Sequence, residues 1–139
     1  MSISNASATW NGTLKAGAGA MKPEHGSELP FSFKTRFEGE KGTNPEEVIG
    51  AALAGCFSMA LSLGLESAGI TPESITTSAK VHLEKQTDGF GIPRIDLVTT
   101  VKAKGDAAKI REVAEATKKG CPVSKVLAAA QINLEVQTG

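Results

Sequence analysis

The chain has 139 residues, of which 40% are hydrophobic and 22% are charged, a composition that suits one globular domain able to bury a core without disulfides or metals. Its 15 basic and 15 acidic side chains cancel, which argues against a basic surface for nucleic acid and against an acidic tail. This length and composition predict a single domain over residues 1–139. Residues Met1 to Asn5 lack the positive charge and apolar run of a secretory signal, so we expect the protein to be in the cytoplasm.

The first third of the chain is predicted to form strands. Two short strands are expected between Ala6 and Met21, and a loop follows from Lys22 to Pro30. Phenylalanine and threonine then alternate with polar residues, which predicts a half-buried strand over residues 31–38. Arg36 would lie on the face of that strand opposite the phenylalanines.

A long helix is predicted next. Asn44 is a good N-cap, Pro45 suits the first helical position, and Glu47 completes a capping-box pattern. The helix should end near Ser67. Because apolar residues surround it from Val48 to Leu65, we expect it to be buried on every side, under a sheet and against a partner. Its interrupting glycines and serines favour a core helix over a membrane span.

The second half of the chain shows strand and helix signals in turn. Three stretches alternate as strands do, namely residues 75–84, 95–103 and 132–136. Asp88-Gly89 suits a hairpin between the first two. Asp106 can cap a helix that ends at Gly120, and a short helix over residues 122–129 follows. The elements together predict an α+β fold with mostly antiparallel strands.

Two cysteines are the first candidates for chemistry, because a thiol is the group in this chain that is nucleophilic toward soft oxidants. Their spacing fits neither a metal site nor a disulfide framework. Cys56 lies in the apolar helix, where a free cysteine usually serves as core filler. Cys121 precedes Pro122 at a helix start, where unpaired N–H groups favour a thiolate, so structural and redox roles both stay open.

The charged residues near the long helix leave two alternatives. Arg36 is either a solvated strand residue or a guanidinium aimed at a buried thiol, where it would stabilise the thiolate and hold a peroxide oxygen. Glu46 and Glu47 either complement the helix dipole or supply a carboxylate that orients Arg36. The two histidines, His25 and His82, are expected to be solvated.

Three segments closely resemble one protein family, the osmotically inducible protein C (OsmC) and organic hydroperoxide resistance (Ohr) family, and its OsmC branch more than Ohr. The segments are Thr35-Arg36-Phe37-Glu38-Gly39-Glu40-Lys41-Gly42-Thr43-Asn44-Pro45-Glu46-Glu47, then Cys56-Phe57-Ser58-Met59-Ala60-Leu61, then Gly120-Cys121-Pro122-Val123-Ser124. The resemblance extends to the order of the elements over essentially the whole chain.

The resemblance implies an intertwined homodimer with a long buried central helix and two sites at the subunit interface. It implies a thiol-dependent peroxidase that reduces organic hydroperoxides, and hydrogen peroxide more weakly, in oxidative and osmotic stress defence. By position, Cys56 would be the peroxidatic cysteine, Cys121 the resolving cysteine that joins it in a disulfide, Arg36 the activating arginine and Glu46 its acidic partner. The implied reductant is an external dithiol, with lipoyl-type dithiols as candidates. No cofactor, metal, nucleic acid or membrane partner is implied.

Two other classes of function remain as alternatives. One is a non-catalytic small-ligand-binding or structural stress protein with buried cysteines, which predicts unreactive thiols. The other is a regulatory redox sensor, against which the lack of a recognisable DNA-binding element counts.

Overall fold

The computed structural model describes Met1 to Gly139 and divides into two compact units, Met1–Val48 and Ile49–Gly139. The boundary falls within the first turns of the longest helix. Helices and mostly antiparallel strands are both present, which confirms the α+β prediction. The single domain over residues 1–139 stays a prediction.

The first unit is built on a three-stranded antiparallel sheet. Its strands are β1 (Ala6–Asn11), β2 (Ala18–Pro23) and β3 (Leu29–Phe31), in that spatial order. The two predicted N-terminal strands are thus confirmed. The last residues of the predicted loop belong instead to β3.

Gly19 on β2 is paired with Trp10 on one side and with Phe31 on the other. A Cβ there would lie 2.7 Å from the Trp10 ring and 2.9 Å from the Phe31 ring. Glycine therefore lets these two rings pack over the strand, with their centroids 5.4 Å apart.

The predicted strand over residues 31–38 is wrong beyond Phe31, because a short helix, α1 (Phe33–Phe37), begins there. Ser32 caps it: the Thr35 N–H donates to Ser32 Oγ at 3.2 Å, and the Ser32 N–H donates to Thr35 Oγ1 at 2.9 Å. These reciprocal bonds satisfy the backbone locally, so the helix prevails over the apolar alternation. Arg36 accordingly does not face away from the phenylalanines, and its guanidinium carbon lies 5.3 Å from the centre of the Phe37 ring.

The long helix α2 (Pro45–Ser67) begins and ends where the sequence predicts. Asn44 Oδ1 accepts the Glu47 N–H at 2.9 Å, which confirms the N-cap. Beyond the other end, the Ile70 N–H donates to the Leu65 carbonyl at 2.9 Å, and Gly69 takes a φ of +80° that this turn requires.

The second unit contains a sheet of β4 (Pro72–Gln86), β5 (Gly89–Ala103) and β6 (Gln131–Thr138). The β4–β5 hairpin confirms the predicted turn near Asp88-Gly89. β6 pairs parallel to β5, which was not predicted. A parallel pair needs a crossover connection, and α3 (Ala107–Gly120) and α4 (Pro122–Val126) lie in it.

The core of the second unit forms where one stripe of α2 packs with residues of the sheet and of α3. The fully buried α2 side chains recur at helical spacing: Leu53, Phe57, Leu61 and Leu65. The opposite side of α2 is open in the single chain, where Met59 is 80% exposed and Leu63 is 67% exposed, so its burial against a partner stays a prediction. By length and by its mean hydropathy of 2.0, α2 is also the one helix that could cross a membrane.

Candidate active site

The two cysteines meet in the second unit. α2 supplies Cys56, which is half-buried, and the junction between α3 and α4 supplies Cys121, which is only 2% exposed. Both thiols are free, and Cys121 is close enough to Cys56 to raise the pKa of its thiol. Two neighbouring thiols are candidates to form a disulfide.

Cys121 is the N-cap of α4, as its place before Pro122 predicts. Its Sγ accepts the Ser124 N–H at 3.4 Å and lies 3.0 Å from Ser124 Oγ. Pro122 has no N–H, so the first free backbone donors of α4 belong to Val123 and Ser124. Each of these two residues forms a hydrogen bond to a cysteine sulfur, Val123 to Cys56 and Ser124 to Cys121.

The pKa of the Cys56 thiol is raised above its ordinary value of 9.0, chiefly because burial disfavours the charged thiolate. The backbone hydrogen bond from Val123 opposes this shift, and the neighbouring Cys121 adds to it. Only a small fraction of Cys56 is therefore thiolate at neutral pH in these surroundings. An efficient nucleophile at this position requires a positive charge nearby.

A groove of about 480 Å³ opens beside Cys56. Its walls are mostly apolar and come from α2 and the start of α4: Cys56, Met59, Ala60, Ser62, Leu63, Glu66 and Pro122. The neighbouring Gly55 is exposed, and a Cβ placed on it would meet no atom within 4 Å other than its chain neighbours and the nearby backbone of its own helix. The Cys56 sulfur thus lies beside an open, apolar surface.

The charged pair predicted near α2 forms in the first unit. Arg36 Nη2 donates to Glu46 Oε1 at 2.7 Å, and Arg36 Nε lies 3.1 Å from Oε1 and 3.3 Å from Oε2. The Glu46 side chain is 8% exposed, whereas Glu47 is exposed. The carboxylate that pairs with Arg36 is therefore that of Glu46. Because Nε and Nη2 face Glu46, the Nη1 donors remain for a ligand.

Arg36 also lines an aromatic cavity of about 300 Å³ in the first unit. The other lining residues are Trp10, Leu14, Phe31, Ser32, Phe33 and Phe37. The cavity has no motif of its own in the sequence, although the spacing of the phenylalanines indicates a shared apolar face. The half-exposed guanidinium is thus placed against apolar rings that can bind an organic group.

The predicted site residues come together as two pairs, the Arg36–Glu46 ion pair in the first unit and the neighbouring thiols of Cys56 and Cys121 in the second. His25 is exposed, as expected. His82 is not simply solvated, because its Nε2 lies 2.7 Å from Asp96 Oδ2 on the outer face of the sheet.

Comparisons with known proteins identify the relatives of this chain. A family model described as "OsmC-like protein" matches residues 38–137, a range that contains Glu46 and both cysteines. The chain is 52% identical to peroxiredoxin OsmC of Escherichia coli (strain K12) over 133 residues, which are 94% of this chain and 92% of that protein.

The folds of solved structures agree. An OsmC-like protein from Mycoplasma pneumoniae is 19% identical, with a TM-score of 0.78 over 99% of this chain and 97% of its own. An organic hydroperoxide resistance protein from Elizabethkingia anophelis is 24% identical, with a TM-score of 0.79 over 99% of both chains. The organic hydroperoxide resistance protein OhrB of Bacillus subtilis is 24% identical, with a TM-score of 0.68 over 97% and 98% of the two chains.

Proposed function

This chain belongs to the OsmC-like protein family and is a peroxidase, and from that premise we propose that it reduces organic hydroperoxides with Cys56 as the attacking thiolate and Cys121 as the resolving thiol. The observation that supports this most directly is the proximity of two free thiols beside an open apolar groove.

The proposed chemistry has three steps. The Cys56 thiolate attacks the O–O bond of the hydroperoxide, becomes a sulfenic acid, and releases an alkoxide that takes up a proton to give the alcohol. Cys121 then displaces water from the sulfenic acid and forms a disulfide with Cys56. An external dithiol reduces this disulfide and restores both thiols, and a lipoyl-type dithiol is our candidate.

Activation of Cys56 is assigned to Arg36. Burial raises the pKa of Cys56, so a guanidinium is needed to stabilise the thiolate and the departing alkoxide. The ion pair with Glu46 fixes the orientation of Arg36 and leaves its Nη1 donors for the peroxide.

The organic preference rests on the apolar surroundings. Arg36 lines an aromatic cavity of about 300 Å³, and Cys56 opens on an apolar groove. Both surroundings favour a substrate with an apolar group over hydrogen peroxide, because burial of that group adds binding free energy.

The assembled enzyme is proposed to be a homodimer that works in the cytoplasm. The exposed Met59 and Leu63 on α2 are large apolar side chains beside the site, and they are the surface that a second copy would cover. Arg36 is proposed to act on Cys56 in this assembly.

The deciding experiment is a stopped-flow assay of peroxide consumption with cumene hydroperoxide and with hydrogen peroxide, each with a dithiol reductant. We expect faster consumption of cumene hydroperoxide. Cys56→Ser should abolish consumption, whereas Cys121→Ser should allow one turnover and block recycling by disulfide. If Cys121→Ser stops the first turnover and Cys56→Ser does not, the assigned roles are reversed and the proposal fails.

A further inference from the structure

Ser124 is a buried hydroxyl whose hydrogen-bond partner is a sulfur. Its residue is 3% exposed, and its Oγ lies 3.0 Å from Cys121 Sγ, which is itself 2% exposed. A buried hydroxyl would ordinarily bond a backbone carbonyl or another oxygen, since sulfur is a weaker partner. The contact therefore restrains where the Cys121 sulfur lies.

The hydroxyl and the backbone of Ser124 hold the same atom. The Ser124 N–H also donates to Cys121 Sγ, at 3.4 Å, so the sulfur forms two hydrogen bonds with one residue. An unrestrained cysteine side chain has three staggered positions about χ1, and these contacts select one of them. In the selected position Cys121 is a near neighbour of Cys56.

We propose that Ser124 is a positioning residue for the resolving step, in which its hydroxyl holds Cys121 Sγ against the sulfenic acid of Cys56. This inference rests on the proposed function. In that step the Cys121 sulfur forms the S–S bond, the S–O bond of the sulfenic acid breaks, and the thiol proton leaves with the hydroxyl group as water. Cys121 is oxidised and Cys56 is reduced, so no further oxidant or reductant is needed.

Loss of Ser124 should affect the rate of disulfide formation and not the rate at which Cys56 attacks the peroxide. Ser124 touches Cys121 and has no part in the attack of Cys56 on the peroxide, so its loss should slow disulfide formation alone. Loss of one such hydrogen bond corresponds to roughly tenfold in rate. A longer-lived sulfenic acid is also exposed for longer to a second peroxide molecule, which oxidises it to sulfinic acid.

The test compares Ser124→Ala with Ser58→Ala. Ser58 is a matched control, because its hydroxyl is also partly buried and donates to a side chain, Thr77 Oγ1 at 2.7 Å, rather than to a cysteine. The reduced proteins are mixed with one equivalent of cumene hydroperoxide and quenched at intervals with dimedone. Mass spectrometry then gives the fractions of dimedone adduct, disulfide and sulfinic acid at Cys56.

We expect Ser124→Ala to consume the first equivalent at the wild-type rate, to form the disulfide about tenfold more slowly, and to accumulate sulfinic acid with excess peroxide. Ser58→Ala should form the disulfide at the wild-type rate, and Ser124→Thr, which keeps the hydroxyl, should recover most of that rate. Disulfide formation at the wild-type rate in Ser124→Ala, or equal slowing in Ser58→Ala, would overturn the inference alone. Absence of both adduct and disulfide in the wild-type protein would overturn the proposed function as well.

Discussion

Arg36 and Glu46 form a partly buried ion pair. One carboxylate oxygen, Oε1, accepts hydrogen bonds from two guanidinium nitrogens, Nη2 at 2.7 Å and Nε at 3.1 Å. The carboxylate is 8% exposed and the guanidinium 35% exposed, so the pair presents its positive member to solvent. A guanidinium whose Nε and Nη2 bond a carboxylate can still donate from Nη1 to an oxygen of a ligand.

The first prediction concerns Arg36→Met. In the proposed assembly Arg36 opposes the burial that raises the pKa of Cys56, so we expect Arg36→Met to raise that pKa by roughly one to two units. The pH at which the peroxide rate levels off should be higher by the same amount in the variant than in the wild-type protein.

Thiolate absorbance and single-turnover rates, both measured in a Cys121→Ser background, report on this prediction. Arg111→Met, on the exposed side of α3, is the matched control and should leave both unchanged. An unchanged pKa with an unchanged rate would return Arg36 to an ordinary surface role.

The second prediction separates Glu46 from its neighbour. Glu46→Gln keeps the shape but removes the charge that orients Arg36, so we expect the peroxide rate to fall about tenfold. It should also lower the free energy of unfolding by about 1–3 kcal/mol, because the substitution weakens the charged hydrogen bonds between Arg36 and a carboxylate that is nearly buried. Glu47→Gln makes the same change at an exposed position and should alter the rate less than twofold. Equal effects in a paired measurement of rate and urea unfolding would refute the assignment of Glu46.

The third prediction concerns assembly. Light scattering at micromolar concentration should give twice the 14.3 kDa chain mass, because Met59 and Leu63 are large apolar side chains left exposed on α2. Leu63→Glu should shift the protein toward monomer, since a charge would be buried in the interface. Ala108→Glu, at an exposed position in the first turn of α3, introduces the same charge and should leave the mass unchanged. A folded wild-type monomer would contradict the homodimer.

The fourth prediction compares two glycines with open space around them. In a helix, alanine is more stable than glycine by roughly 0.5–1 kcal/mol, so Gly120→Ala at the end of α3 should raise the melting temperature. Gly55→Ala should not, because we expect a second copy to approach α2 there. Calorimetry of the two variants decides the matter, and an equal gain for both would mean that nothing packs on Gly55.

Local signals in the sequence predicted much of the fold. Asn44 and Pro45 located the start of α2, Asp106 located α3, and Asp88-Gly89 located the hairpin, because caps and turns depend on the residues that form them. Apolar alternation predicts a strand for Arg36, because the reciprocal hydrogen bonds of Ser32 and Thr35 that start a helix there leave no comparable pattern in the sequence.

Features that depend on contacts between distant residues could not be predicted from local patterns. The parallel pairing of β6 with β5 joins segments about 37 positions apart, as Arg94 and Gln131 show. The meeting of Cys56 with Cys121 is of the same kind, and only family resemblance suggested it. The choice between Glu46 and Glu47 required the side-chain geometry.

The parallel pairing of β5 with β6 determines where the Cys121 thiol lies. Cys121 lies in the crossover between these strands, so the chain beyond it must return along β5 to close the sheet. During synthesis, Cys56 emerges 65 residues before Cys121, and β6 emerges after both. Under the proposed roles, an unfinished chain therefore holds Cys56 without the docked Cys121 that would resolve its sulfenic acid. The order of folding thus sets the moment at which oxidation at Cys56 can proceed to a disulfide, the form that an external dithiol reduces.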